Sequence, residues 1–130
     1  MALSYLKDKT FLVVDDDTFN IQLITTMLKK LADVEVVSTD KGSEALDVLK
    51  RCDGYIDMVL LDLHMPEMEG EDVLKSIRNE LELDMPVLII SVDGLEEQEL
   101  LDLGANDFVL KPFDLEDLKA KILTHLPKEQ

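Results

Sequence analysis

Five short apolar runs, spaced far enough apart for a helix between each pair, constrain this chain more than any other feature of its sequence. They begin at Phe11, Val34, Met58, Val87 and Phe108. Phe11-Leu12-Val13-Val14, Met58-Val59-Leu60-Leu61 and Val87-Leu88-Ile89-Ile90 are uninterrupted, the pattern of strands buried on both faces of a parallel sheet. Val34-Glu35-Val36-Val37 carries a charge, which suits a sheet edge. Every interval exceeds the dozen or so residues that a parallel crossover needs. The intervals show helical spacing: Ile21, Ile24, Leu28 and Leu31; Ala45, Leu46, Leu49 and Cys52; Val73, Leu74, Ile77 and Leu81; Leu115, Leu118, Ile122 and Leu126. A shorter, very acidic helix is expected over Leu95 to Leu103. The alternation predicts an α/β fold with a mainly parallel sheet. The open order 2-1-3-4-5 would set the first and third strands side by side and create a ligand-binding switch point there.

Local signals agree. Asp114 can cap the last helix, with Asp117 an approximate capping-box partner, and Asp17 or Thr18 can cap the first. Gly104 can end the fourth helix, and Pro86 stands just before the fourth strand. At 130 residues, residues 1–130 read as one domain with a core over about 8–126. No apolar stretch approaches the roughly 18 residues of a membrane span. Met1 to Thr10 lacks the pattern of a secretory signal, so a cytoplasmic location is expected. The single cysteine, Cys52, excludes an internal disulfide and reads as a small buried residue. A formal net charge of −16 argues against direct contact with nucleic acid or an anionic membrane.

The chemistry lies at the ends of the runs. Asp15 and Asp16 follow the first, Asp62 the third, Ser91 the fourth and Lys111 the fifth. In a parallel sheet all five emerge from one edge. Three neighbouring carboxylates repel unless something neutralises them, and a hard cation such as Mg²⁺ does so. Asp62, alone at the end of a central strand, is the best candidate for a nucleophile that forms an aspartyl phosphate. Lys111 and Ser91 could hold phosphoryl oxygens, since phosphoryl transfer needs mostly positioning and charge neutralisation. Singly, an Asp or Ser after a strand is usually a turn residue or a cap. The ordered set carries the inference.

These segments resemble the receiver domain of two-component response regulators. The matching stretches are FLVVDDD (Phe11–Asp17), MVLLDLHMPEMEG (Met58–Gly70), PVLIIS (Pro86–Ser91) and FVLKPF (Phe108–Phe113). The resemblance implies a flavodoxin-like, doubly wound five-stranded parallel sheet with helices on both faces. It implies that Asp62 accepts a phosphoryl group from a phosphohistidine on a sensor histidine kinase or histidine phosphotransfer protein. Asp15, Asp16, Asp62 and the backbone carbonyl of His64 would hold Mg²⁺, and Ser91 and Lys111 would bind the phosphoryl group. The Lys111–Pro112 bond would be cis. Ser91 and Phe108 would form the switch, read at a surface of the fourth helix, fifth strand and fifth helix. That surface could also support a homodimer, and an output domain could follow the chain.

The chain departs from the commonest receiver pattern at several positions. Ser91 replaces a frequent threonine, Val92 a usual alanine or glycine, and Phe108 has no tyrosine hydroxyl. Val92, together with the variable pair His64 and Asp93, would tune the lifetime of the phosphorylated form. The expectation is a signalling module that is not an enzyme. Two other readings fit less well. Asp15-Asp16-Asp17-Thr18 superficially resembles the start of haloacid dehalogenase phosphatases, but the glycine and threonine of that motif do not follow in order. A receiver-shaped domain that is never phosphorylated would be expected to have lost the acids or the lysine. Both a stand-alone receiver and a piece of a longer regulator or hybrid kinase fit the sequence.

Overall fold

The structure, a computed structural model, describes residues 3–51, 55–92 and 96–127. Five strands alternate with helices: β1 (Thr10–Val14), α1 (Thr18–Leu31), β2 (Glu35–Thr39), α2 (Gly42–Arg51), β3 (Met58–Asp62), α3 (Gly70–Lys75), β4 (Val87–Ser91), α4 (Glu97–Asp102), β5 (Asp107–Leu110) and α5 (Leu115–His125). A 3-10 turn at Ser4–Leu6 precedes them. All pairings are parallel, as the spacing of the apolar runs predicts, and the strand order is β2-β1-β3-β4-β5, the order expected of a doubly wound receiver-like sheet.

Burial explains the order. Every residue of β1, β3 and β4 is buried, so these strands take the centre, while β2, with its exposed Glu35, lies at an edge. Successive side chains point to opposite faces of a strand. Leu12, Val14, Val59, Leu61, Val87, Ile89 and Phe108 meet Ala45 and Leu49 of α2, Val73 and Leu74 of α3 and Leu100 of α4. Phe11, Val13, Met58, Leu60, Leu88, Ile90 and Val109 meet Ile24 and Leu28 of α1 and Leu118 and Ile122 of α5. The chain therefore has two cores, one on each face of the sheet.

The caps are largely those the sequence suggests. Asp17, rather than Thr18, caps α1, accepting from the Phe19 N–H at 2.9 Å. Asp114 caps α5, accepting from the Glu116 N–H at 3.0 Å. Asp117 does not complete a capping box; it pairs with Lys121 one turn later, at 3.1 Å. Gly104 follows α4 with φ 111, a left-handed geometry that glycine adopts without strain.

Two boundaries differ from the sequence reading. The described part of the fourth helix is shorter than Leu95–Leu103. The third helix does not run as regular α-helix to Leu81. It widens to π geometry over Ser76–Glu80, where the Leu81 N–H reaches the Ser76 carbonyl at 2.9 Å. The stripe of Val73, Leu74 and Ile77 gives no sign of this extra residue per turn.

Arg78, within that wide turn, fastens it to the segment before β4 and to the turn between α4 and β5. Its Nε donates to the Gly104 carbonyl at 3.0 Å, Nη1 to the Leu83 carbonyl at 2.8 Å and Nη2 to Asn106 Oδ1 at 2.9 Å. Asn106 Oδ1 also accepts from the Val87 N–H. Burial lowers the Arg78 pKa, yet a guanidinium stays charged under any ordinary condition. Arg78→Ala is expected to cost about 1–2 kcal/mol in urea unfolding, because it leaves two part-buried carbonyls without their charged donor. Arg78→Lys should recover little, since an ammonium cannot reproduce the fork. A loss below about 0.5 kcal/mol for Arg78→Ala would show that water replaces the guanidinium freely.

Candidate functional site

The parallel arrangement brings the predicted residues to one edge. Asp62 closes β3, Asp15 and Asp16 follow β1, Ser91 closes β4 and Lys111 follows β5. Asp15, Asp16 and Asp62 each present a carboxylate oxygen, and these atoms lie within 4.8 Å of one another. Asp15 is fully buried, Asp62 is 6% exposed and Asp16 is exposed. The cluster is thus open to solvent on the Asp16 side. A cavity of about 230 Å³ adjoins it there, lined by Asp16, Asp40, Lys41, Met65, Pro66 and Glu67.

The hydrogen bonding is incomplete. Asp15 Oδ1 accepts from the Asp17 N–H at 2.9 Å, while Oδ2 is buried with no partner among the described residues. Asp62 Oδ1 accepts a long bond from the His64 N–H at 3.4 Å and stands 3.9 Å from Lys111 Nζ. One ammonium does not balance three carboxylates. Burial first, and then the Asp15 charge, push the Asp62 pKa up to about 7, against the opposing pull of Lys111 and the His64 N–H. Burial also raises the Asp15 pKa. The donor set is all oxygen, one buried oxygen lacks a partner, and negative charge is in excess. A hard divalent cation fits these residues.

The remaining predicted residues are placed as follows. Ser91 is buried, and its carbonyl accepts from the Lys111 N–H at 2.9 Å. The Lys111–Pro112 peptide is cis, as the resemblance implies. Val92 is 63% exposed beside the site. The His64 ring is exposed and lies 3.2 Å from Glu69 Oε2. Phe108 is already packed inward, 6% exposed, in the core with α2, α3 and α4. Asp93 and Cys52 lie outside the described residues.

Gly70, which closes the MPEMEG stretch, is a positioning residue that no apolar or charge pattern marks. Its N–H donates to the Leu63 carbonyl at 2.8 Å. A Cβ there would stand 2.4 Å from the Asp62 carbonyl oxygen and 2.9 Å from Leu63 Cα. The start of α3 therefore presses directly on the backbone that carries Asp62.

A doubly wound sheet of this order, with acids at the switch point between β1 and β3, defines the CheY-like class of α/β folds. The chain belongs to the response regulator receiver domain family, whose model matches residues 11–123. It is 41% identical over 111 residues to the two-component response regulator ARR11 of Arabidopsis thaliana, covering 83% of this chain and 20% of that protein. It is 36% identical over 119 residues to the chemotaxis protein CheY-3 of Vibrio cholerae, covering 89% of this chain and 90% of that protein. The chain thus spans a fifth of the plant regulator's length. The receiver domain of sensor histidine kinase PA1611 from Pseudomonas aeruginosa superposes with a TM-score of 0.81 at 25% identity. That match covers 93% of this chain and 99% of the other, which has magnesium coordinated in its active site cleft.

Family membership also corrects the expectation that this chain is not an enzyme. A receiver-family match and kinship with CheY-3 carry no such exclusion. No helix among the described residues is long and apolar enough to cross a membrane.

Proposed function

We propose that this chain, with residues 8–126 acting as one receiver domain, takes a phosphoryl group onto Asp62 from a phosphohistidine. The observation that carries this reading is the buried Asp62 carboxylate, set among Asp15, Asp16 and Lys111 at the end of a central strand. An Asp62 carboxylate oxygen forms the new bond to phosphorus. The phosphorus–nitrogen bond of the donor breaks, and the imidazole leaves.

Asp15, Asp16, Asp62 and the His64 carbonyl would hold Mg²⁺. Bound there, the ion would neutralise the carboxylates and offset the charge of the incoming phosphoryl group. Lys111 and Ser91 take the other phosphoryl oxygens. Lys111 already lies within reach of Asp62, and a new anion beside it would draw the ammonium away from its resting partner. Ser91 and Phe108 form the switch, and a phosphoryl group biases it through contacts that differ between the two states. The output surface comprises α4, β5 and α5. Donors are a sensor histidine kinase or a phosphotransfer protein in the cytoplasm. The surface serves an output domain, a separate partner or a second copy of the chain.

Incubation with Mg²⁺ and acetyl phosphate, followed by intact mass measurement, tests this function. The wild type is expected to gain one phosphoryl group and Asp62→Asn none. An unmodified wild type, or equal gain by the variant, would remove the proposal.

His64, Val92 and Asp93 tune how long the phosphorylated form lasts. Exchanging His64 and Asp93 is expected to change the dephosphorylation rate several-fold, followed by loss of the added mass with time. An unchanged rate would leave Val92 alone in that role.

A further inference from the structure

The α5 helix carries a second stripe that the apolar pattern hides. Leu118 and Ile122 pack on the sheet, while Asp117, Lys121 and His125 follow one another at i+4 spacing and turn toward β5. This polar stripe grips one peptide unit after another around Phe108. Lys121 Nζ donates to the Phe108 carbonyl and is paired with Asp117 Oδ2 at 3.1 Å. The Phe108 N–H donates to Asp107 Oδ1 at 2.9 Å. The other oxygen of that carboxylate, Oδ2, lies 2.9 Å from His125 Nε2. Both polar backbone groups of Phe108 are therefore held by side chains, one by α5 directly and one through Asp107.

The placement is specific. The Lys121 side chain is only 23% exposed, so its ammonium is directed inward along the strand rather than into water. A charged donor on a carbonyl is stronger than a neutral one, and more so where water is scarce. Phe108 cannot change its backbone position without stretching or breaking these bonds. Its side chain belongs to the core on the other face of the sheet, so the bonds to its peptide give α5 direct contact with a residue of that opposite layer.

We propose that Lys121 is a positioning residue of the output switch, coupling displacement of Phe108 to α5 with Asp117 and the Asp107–His125 pair as its supports. This inference rests on the reading of Asp62 as phosphoacceptor and Phe108 as switch residue. It adds the physical link by which α5 receives the signal.

Nitrogen-15 NMR spectra before and after phosphorylation with Mg²⁺ and acetyl phosphate test it, with intact mass followed in parallel. In the wild type, amides of Leu115–His125 are expected to shift together with those of Ser91 and Phe108. In Lys121→Met, which keeps the stem and loses the donor, the mass gain and the Ser91 and Phe108 shifts persist. The α5 shifts fall at least two-fold. Lys121→Arg, which restores a cationic donor, recovers them. Asp117→Asn, which leaves Lys121 in place, gives an intermediate loss. Full α5 shifts in Lys121→Met would overturn the coupling. So would a wild type that gains the phosphoryl group with no response in α5, and that outcome leaves the phosphoacceptor reading intact. A wild type that gains no phosphoryl group removes the reading beneath both.

Discussion

Without divalent metal, the wild-type protein should lose stability as pH rises from about 4 to about 7, and Asp62→Asn should lose much less. The direction follows from proton counting. The folded Asp62 carboxyl holds its proton up to about pH 7, whereas its ordinary value is 3.8. Between those values the folded state binds more protons than the unfolded state, so each rise in pH favours unfolding. Stability from this group is complete below the unfolded value and is lost as pH passes through the folded one. The Asp15 carboxyl is displaced in the same direction. The expected change is on the order of 2–4 kcal/mol, since each tenfold gain in proton affinity on folding is worth about 1.4 kcal/mol. At pH 8 the neutral amide in Asp62→Asn removes one of three crowded charges, and the variant should be the more stable protein. Mg²⁺ should reverse the ranking, because an ion that binds only the folded state stabilises it by mass action. Urea unfolding at pH 5 and pH 8, with EDTA and then with Mg²⁺, measures all four conditions. Equal stability of the metal-free wild type at both pH values would show that the three carboxylates are not in conflict.

Gly70→Ala is expected to cost about 3 kcal/mol and to slow phosphoryl uptake as well. The reason is space. An added Cβ would meet the Asp62 carbonyl oxygen at 2.4 Å and Leu63 Cα at 2.9 Å. Both neighbours are backbone, so neither can rotate away, and overpacking of this kind is destabilising by about 1–3 kcal/mol or more. Relief requires α3 to retreat or the Asp62–Leu63 segment to move, and the second response displaces the acceptor. Urea unfolding measures the first effect, and the rate of mass gain with acetyl phosphate measures the second. Glu69→Ala, one residue earlier on an exposed side chain, should change stability by less than about 0.5 kcal/mol. A Gly70→Ala protein with wild-type stability would mean that the helix start has slack at this point.

The sequence shows most clearly those features that depend on periodicity. β1, β3 and β4 are buried because each carries an uninterrupted apolar run, and the polar residues that follow those runs reach the sheet edge by strand geometry alone. Asp15, Asp62, Ser91 and Lys111 could thus be brought together without coordinates. The charge of Glu35 likewise marked the edge strand. What stayed hidden depends on contacts with the backbone. Arg78 bonds two carbonyl oxygens, and every residue carries one, so no partner type announces the contact. Gly70 matters for the space its missing side chain leaves against Asp62. The wide turn at Ser76–Glu80 adds a residue without changing the apolar stripe before it. Asp117, Lys121 and His125 do have a legible spacing, but on an acidic surface they read as ordinary solvated charge.

The division of the interior into two layers has a further consequence. A sheet normally works as a partition, and side chains in one compartment are blind to those in the other. Here a single residue is anchored in both: the ring of Phe108 beds among α2, α3 and α4, and its amide linkages are moored to a helix from the far side. A disturbance that begins in either compartment can therefore leave through the wall itself, along one strand, with no rearrangement of the loops that run around its rim.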